Sequence, residues 1–133
     1  MRRVHLVQAL VALASAAALS GCAGLIVTGA AAGAGAGAVL YAKGDLEATV
    51  EQSRAAVVDA TRKAVEGEGL TIDRERETED EWIFDCRRGD GKEVTIKVKE
   101  LTPSMSRIYI RVGTFGDEAY SRQLLDAIKK QMV

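Results

Sequence analysis

From Val4 to Ala42 the chain carries no formally charged side chain, whereas all 19 acidic residues and 16 of the 18 basic ones lie between Lys43 and Val133. A polypeptide built this way cannot be one evenly amphipathic globule. Its first third belongs in an apolar environment or is removed, and only the remainder has the mixture of charged and apolar residues that a core in water requires. At about ninety residues that remainder suffices for one modest core, not two. With Arg2 and Arg3 gone, 16 bases face 19 acids and the net charge is −3. No basic excess is left to hold phosphate, so nucleic acid is not expected as a partner. The single histidine is His5. The rest of the chain therefore lacks the commonest general base and the commonest metal ligand, and neither a metal nor a cofactor is expected.

Met1 to His5 forms a short basic start, and Val4 to Leu19 is an apolar stretch of Val, Leu and Ala, marginal for a bilayer span. The pattern reads as a secretory leader, residues 1–21. It ends in Leu19-Ser20-Gly21-Cys22, which resembles the lipobox of bacterial lipoproteins: an aliphatic residue, two small ones, then the cysteine that receives diacylglycerol. Small residues admit the backbone to a peptidase cleft, and the thiol must be reachable at the membrane surface. The resemblance implies cleavage between Gly21 and Cys22, acylation of Cys22 and of the new amino group, and membrane lipid as the first partner. At about 0.8 kcal/mol per buried methylene, two or three acyl chains anchor a protein effectively permanently. The residue after Cys22 is Ala23 and not Asp, which in Gram-negative lipoproteins implies export to the outer membrane, with the attached domain facing the periplasm.

Residues 22–43 hold the acylated cysteine and an Ala/Gly-rich segment in which ten of the eleven residues from Thr28 to Ala38 are Ala or Gly. Gly29, Gly33 and Gly37 recur every four residues, so on a helix they would line one flat strip against which another helix could pack. Each glycine costs a helix about 1 kcal/mol relative to alanine. A flexible or surface-lying tether is the simpler reading of such composition. Tether and oligomerising helix both stay open, and with the second a homo-oligomer.

The domain is expected over residues 44–133. Tyr41 to Val50 contains a short strand, and Glu51 to Glu66 reads as a helix with Val57, Ala60, Ala64 and Val65 on one stripe, ended by Gly67 and Gly69. Leu70 and Ile72 lead into the run DRERETEDE, expected to be a solvated edge strand or loop whose charges discourage sheet-to-sheet pairing. Trp82, Phe84 and Cys86 alternate with polar or outward positions, Gly89-Asp90-Gly91 supplies a turn, and Val94, Ile96 and Val98 alternate again, giving a hairpin. After Pro103, Ile108, Ile110 and Val112 form another strand, and Asp117 is the expected N-cap of a last helix carrying Tyr120, Leu124, Ala127 and Ile128 on one face. The expected architecture is α+β: a small antiparallel sheet of three to five strands with two helices on one face.

No catalytic set stands out. Cys86 shares a strand face with Trp82 and Phe84, the position of a buried small hydrophobe, and it has no histidine to activate it. With Cys22 acylated it also has no disulfide partner. Arg88-Gly89-Asp90 spells a cell-adhesion tripeptide, but Asp-Gly in a hairpin turn accounts for it. The acids of the DRERETEDE run lack the glycine-turned loop of a calcium site. The protein is therefore expected not to be an enzyme. An exposed groove at Tyr109 and Arg111 would favour a small-ligand binder, which stays the alternative.

Tyr41-Ala42-Lys43-Gly44-Asp45-Leu46, Ala60-Thr61, Asp90-Gly91-Lys92 and above all the segment from Ile110 to Asp117 followed by Ser121 resemble a family of small proteobacterial lipoproteins known as domain of unknown function 3568. The resemblance implies an exported lipoprotein with a small α+β domain and supplies no activity, cofactor or catalytic residue. Arg111 and Asp117 are candidates for a structural pair or cap within its most specific segment. The expected role is a non-enzymatic structural or interaction module with an envelope protein as partner.

Overall fold

The computed structural model describes residues 36–133, so that the leader, Cys22, Gly29 and Gly33 lie outside the described residues. Six strands and two helices follow one another: β1 (Ala36–Ala42), β2 (Asp45–Val50), α1 (Arg54–Gly67), β3 (Thr71–Glu77), β4 (Glu81–Arg87), β5 (Glu93–Thr102), β6 (Met105–Val112) and α2 (Glu118–Gln131). All neighbouring strands are antiparallel, in the order β1-β2-β6-β5-β4-β3. The chain makes a hairpin, crosses the sheet through α1 to its far edge, and returns by a four-strand meander that closes β6 against β2.

The sheet has six strands where three to five were expected, and it begins at Ala36 rather than at residue 44. The added strand, β1, takes Ala36 to Leu40 from the end of the Ala/Gly-rich segment and Tyr41-Ala42 from the expected first strand, and Lys43-Gly44 turns it into β2. Both turn residues have positive φ, +54° and +88°, the backbone of a type I′ turn, whose twist matches that of the strands it joins. Gly37 lies in β1, so it is not part of a helical glycine strip. Ala and Gly are poor strand formers, and here the ladder to β2, from Ala36 opposite Val50 to Ala42 opposite Asp45, imposes the conformation.

Period-two patterning puts one face of the sheet in the core. Leu46, Ala48 and Val50 of β2, Ile108, Ile110 and Val112 of β6, Val94, Ile96 and Val98 of β5, and Phe84 and Cys86 of β4 are all buried. Both helices cover this face. α1 contributes Val57, Ala60, Ala64 and Val65, and α2 contributes Leu124, Leu125 and Ile128. Ser53 caps α1, its hydroxyl accepting the Ala56 N–H at 3.3 Å. The helix therefore starts at Arg54 rather than at Glu51. The Ser106 hydroxyl, fully buried at the end of the β2–β6 ladder, donates to the Gln52 carbonyl at 2.8 Å and fixes the exit from β2.

β3 is the charged edge that the sequence suggests, but its acids are not merely solvated. Glu77 pairs with Arg54 at 3.2 Å, and Glu75 pairs with Arg62 and accepts the Trp82 indole N–H at 2.8 Å. The Glu75 carboxylate raises the Arg62 pKa. These contacts lace α1 to the sheet edge. Among the described residues no helix is long and apolar enough to cross a membrane.

Candidate functional site

Among the described residues nothing covers the face of the sheet away from the helices, and its centre is the most patterned surface of the domain. Arg107, Tyr109 and Arg111 of β6 lie beside Glu47 and Asp45 of β2 and beside Lys99, Lys97 and Thr95 of β5. Register makes the neighbours: Glu47 stands opposite Tyr109, and Tyr109 opposite Lys97. Arg107 pairs with Glu47 at 3.2 Å and Arg111 with Asp45 at 2.9 Å. These pairs are part exposed and each is worth at most about 1 kcal/mol. Lys97 and Lys99 form no ion pair within the described residues, which leaves positive charge along the middle of the face.

Arg111 does more than pair. Its Nη1 donates to the Lys43 carbonyl at 3.3 Å as well as to Asp45, and its Nη2 donates to the Thr114 carbonyl at 2.8 Å. One planar guanidinium thus binds the β1–β2 turn to the loop after β6, a use of fixed fork geometry that lysine could not reproduce. The two loops meet backbone to backbone. A methyl added at Gly44 would stand 2.8 Å from the Phe115 carbonyl oxygen, and one added at Gly116 would run into the backbone of Gly44 and the Tyr41 hydroxyl. Only glycine permits that approach, and Gly116 also has φ +84°.

Asp117 caps α2: its Oδ1 accepts the Tyr120 N–H at 3.0 Å. It does not pair with Arg111. Its Oδ2 instead lies 3.9 Å from Nη1 of Arg88, because Arg111 points to the open face while the cap lies at the helix end. Arg88 sits 4.6 Å from the centre of the Tyr120 ring and is held by Asp90 at 2.6 Å. The Lys92 N–H, more than Arg88, holds the Asp90 carboxyl below its ordinary value. Arg88-Gly89-Asp90 is thus a tied hairpin turn. Partial burial pushes the Tyr120 phenol up.

Beside Arg111 the open face holds a concavity of about 330 Å³ lined by Asp45, Thr95, Lys97, Tyr109 and Arg111. Sequence reasoning named Tyr109 and Arg111 for such a groove. It missed Asp45 and Lys97, which reach the site only through the pairing of β2 and β5 with β6. The other reactive candidate is inert. Cys86 is 2 % exposed, and burial, reinforced by the Asp85, Asp73 and Glu75 carboxylates, pushes its thiol up to about 12. Among the described residues no cluster of His, Cys, Asp and Glu could hold a metal ion.

No curated protein matches the chain. The profile of a family described as Protein of unknown function (DUF3568) matches residues 5–131, nearly the whole sequence and all of the geometry just described from β1 to α2. The chain belongs to that family of proteins of unknown function.

Proposed function

We propose that this protein is a lipid-anchored envelope lipoprotein at the outer membrane, with its domain facing the periplasm as a non-enzymatic structural or protein-interaction module. The observation that carries the reading is Leu19-Ser20-Gly21-Cys22 closing an apolar leader, with Cys22 as the lipid site. The domain is consistent with binding rather than chemistry. Its one described thiol is a neutral, buried side chain, and its most distinctive surface is a sheet face, uncovered among the described residues, bearing Tyr109, Lys97 and Lys99. Such a face suits a partner protein with complementary acidic groups. Labelled palmitate tests the anchor: the wild type incorporates it and Cys22→Ala does not. An unlabelled wild type, or equal labelling of the variant, removes the anchor. A photo-reactive residue at position 97 or 109 tests the surface in intact cells. A discrete adduct from those positions and not from position 122 on α2 supports the module, and no adduct counts against it.

A small-ligand binder is the second reading, favoured by the concavity beside Arg111 and Lys97. Its charge selects a small carboxylate. Saturable shifts of the Lys97 and Tyr109 amide resonances with succinate would support it; unchanged resonances would exclude it.

A further inference from the structure

The two edges of the sheet are guarded very differently. Both edge strands break register once, β3 between Ile72 and Arg74 and β1 between Ala36 and Val39, but β3 also carries five charged side chains in seven residues, TIDRERE, and is tied down by α1. These are the devices by which proteins blunt an edge. β1, AGAVLYA, has none of the charge. It is the only one of the six described strands without a charged residue, and Leu40 on it is 60 % exposed.

The Lys43-Gly44 turn fixes which backbone groups of β1 are free. In a two-residue hairpin the flanking residues, Ala42 and Asp45, exchange both hydrogen bonds, and the pattern then alternates along an antiparallel ladder. Ala42 and Leu40 spend their N–H and C=O groups on β2. Tyr41 and Val39 aim theirs outward, and no described strand lies beyond β1.

We propose that β1 is a pairing edge for β1 of a second copy of this chain, antiparallel across a two-fold axis at Leu40. That register sets Val39 opposite Tyr41 of the other copy on both sides of the axis, so the outward groups of Val39 and Tyr41 in both strands, the regular part of the ladder, are satisfied. It brings the two Leu40 side chains together on the open face and covers them. It also sends the two Lys43 residues to opposite ends, so no like charges meet. Any other strand of this domain would bring a charged residue to the uncharged edge. The sheets of two copies become one of twelve strands, and a two-fold interface closes on itself without propagating into a fibre.

Oxidation of the purified, acylated full chain carrying Leu40→Cys tests the pairing. Residues opposite each other at a non-hydrogen-bonded position bring their Cβ atoms to about 4.5–5.5 Å, close enough for a disulfide to form with little adjustment. The expected result is a covalent dimer from Leu40→Cys, none from Leu101→Cys on the β5–β6 hairpin, and at least a tenfold lower yield when Val39→Pro is added to Leu40→Cys. Proline at Val39 removes an outward N–H and leaves the bonds to β2 in place; far-UV circular dichroism checks the fold. No dimer from Leu40→Cys, equal dimer from Leu101→Cys, or an undiminished yield with Val39→Pro in a folded chain would overturn the proposal. The parental chain, oxidised alongside, carries only Cys22 and the buried Cys86, so a covalent dimer from it reveals a failure of acylation separately from a failure of pairing.

Discussion

The two faces of the sheet share strands, register and backbone bonding, yet they respond to different physics. On the covered face, Phe84, Ile96, Ile108 and Ile110 are completely buried between the sheet and two helices, where close packing makes every removed methylene count. On the open face, Arg107, Tyr109, Arg111 and Lys97 stand beside one another in water, and their pairs contribute little individually. The comparison separates what holds this fold from what it displays. Stability resides under the helices, and the open face is free to carry a surface for recognition.

Substitutions on the covered face should therefore break the domain first. Phe84→Ala empties the largest fully buried side chain and is expected to cost about 3–5 kcal/mol, read as a lower urea midpoint with unchanged slope. Lys97→Ala, directly across the sheet thickness from that core, should stay within about 0.5 kcal/mol. Comparable losses for the two would contradict the division between faces. Gly116→Ala comes next, because the contact that joins the loops at the end of the sheet leaves no room for a Cβ and the residue has positive φ. It should cost at least about 2 kcal/mol, and Gly89→Ala, with nothing within 4 Å of the added carbon, should cost far less.

Cys86 extends the contrast to pH. Its thiol is raised to about 12 from an ordinary 9.0, so the neutral form is favoured in the folded state. That stability is fully present below the unfolded pKa and is lost as pH rises through 9 toward 12, with a slope of up to about 1.4 kcal/mol per unit. Urea midpoints at pH 8 and pH 10.5 should diverge in the wild type. The divergence should narrow in Cys86→Ala; an unchanged divergence would mean that Tyr120 or other groups carry the alkaline loss.

The covered face was also the part most legible in the sequence. Val94, Ile96 and Val98, then Ile108, Ile110 and Val112 alternate cleanly, and Trp82, Phe84 and Cys86 do so apart from the apolar, buried Ile83 between them; each set became a strand. Asp117 before an apolar stripe marked the start of α2. β1 was illegible because Ala and Gly carry little intrinsic preference for strand; the pairing with β2 decides its conformation. The Lys43-Gly44 turn escaped notice because type I′ turns usually announce themselves as Asn-Gly or Asp-Gly. Much of the open site was hidden for a different reason. Asp45 and Arg111 are 66 residues apart, and only the closure of β6 on β2 makes them neighbours. Local pattern specifies elements, but the order of strands in a sheet is a property of the whole chain.

The smallest expected effect tests whether the covered face is as fully satisfied as its packing suggests. Ser121 on α2 is 0 % exposed, and its Oγ has no hydrogen-bond partner among the described residues. By contrast, the equally buried Thr61 hydroxyl on α1 donates to the Val57 carbonyl at 2.7 Å. An unpaired buried hydroxyl loses its hydration without recompense, at a cost of about 1–3 kcal/mol. Ser121→Ala removes that hydroxyl, leaves a hole smaller than a methyl group and improves helix propensity. It should raise stability by about 1 kcal/mol, whereas Thr61→Ala should lower it, since it deletes a satisfied bond and a packed methyl. If Ser121→Ala instead destabilises the domain, its hydroxyl has a partner in solution, and this part of the covered face is wetter than the rest of the core.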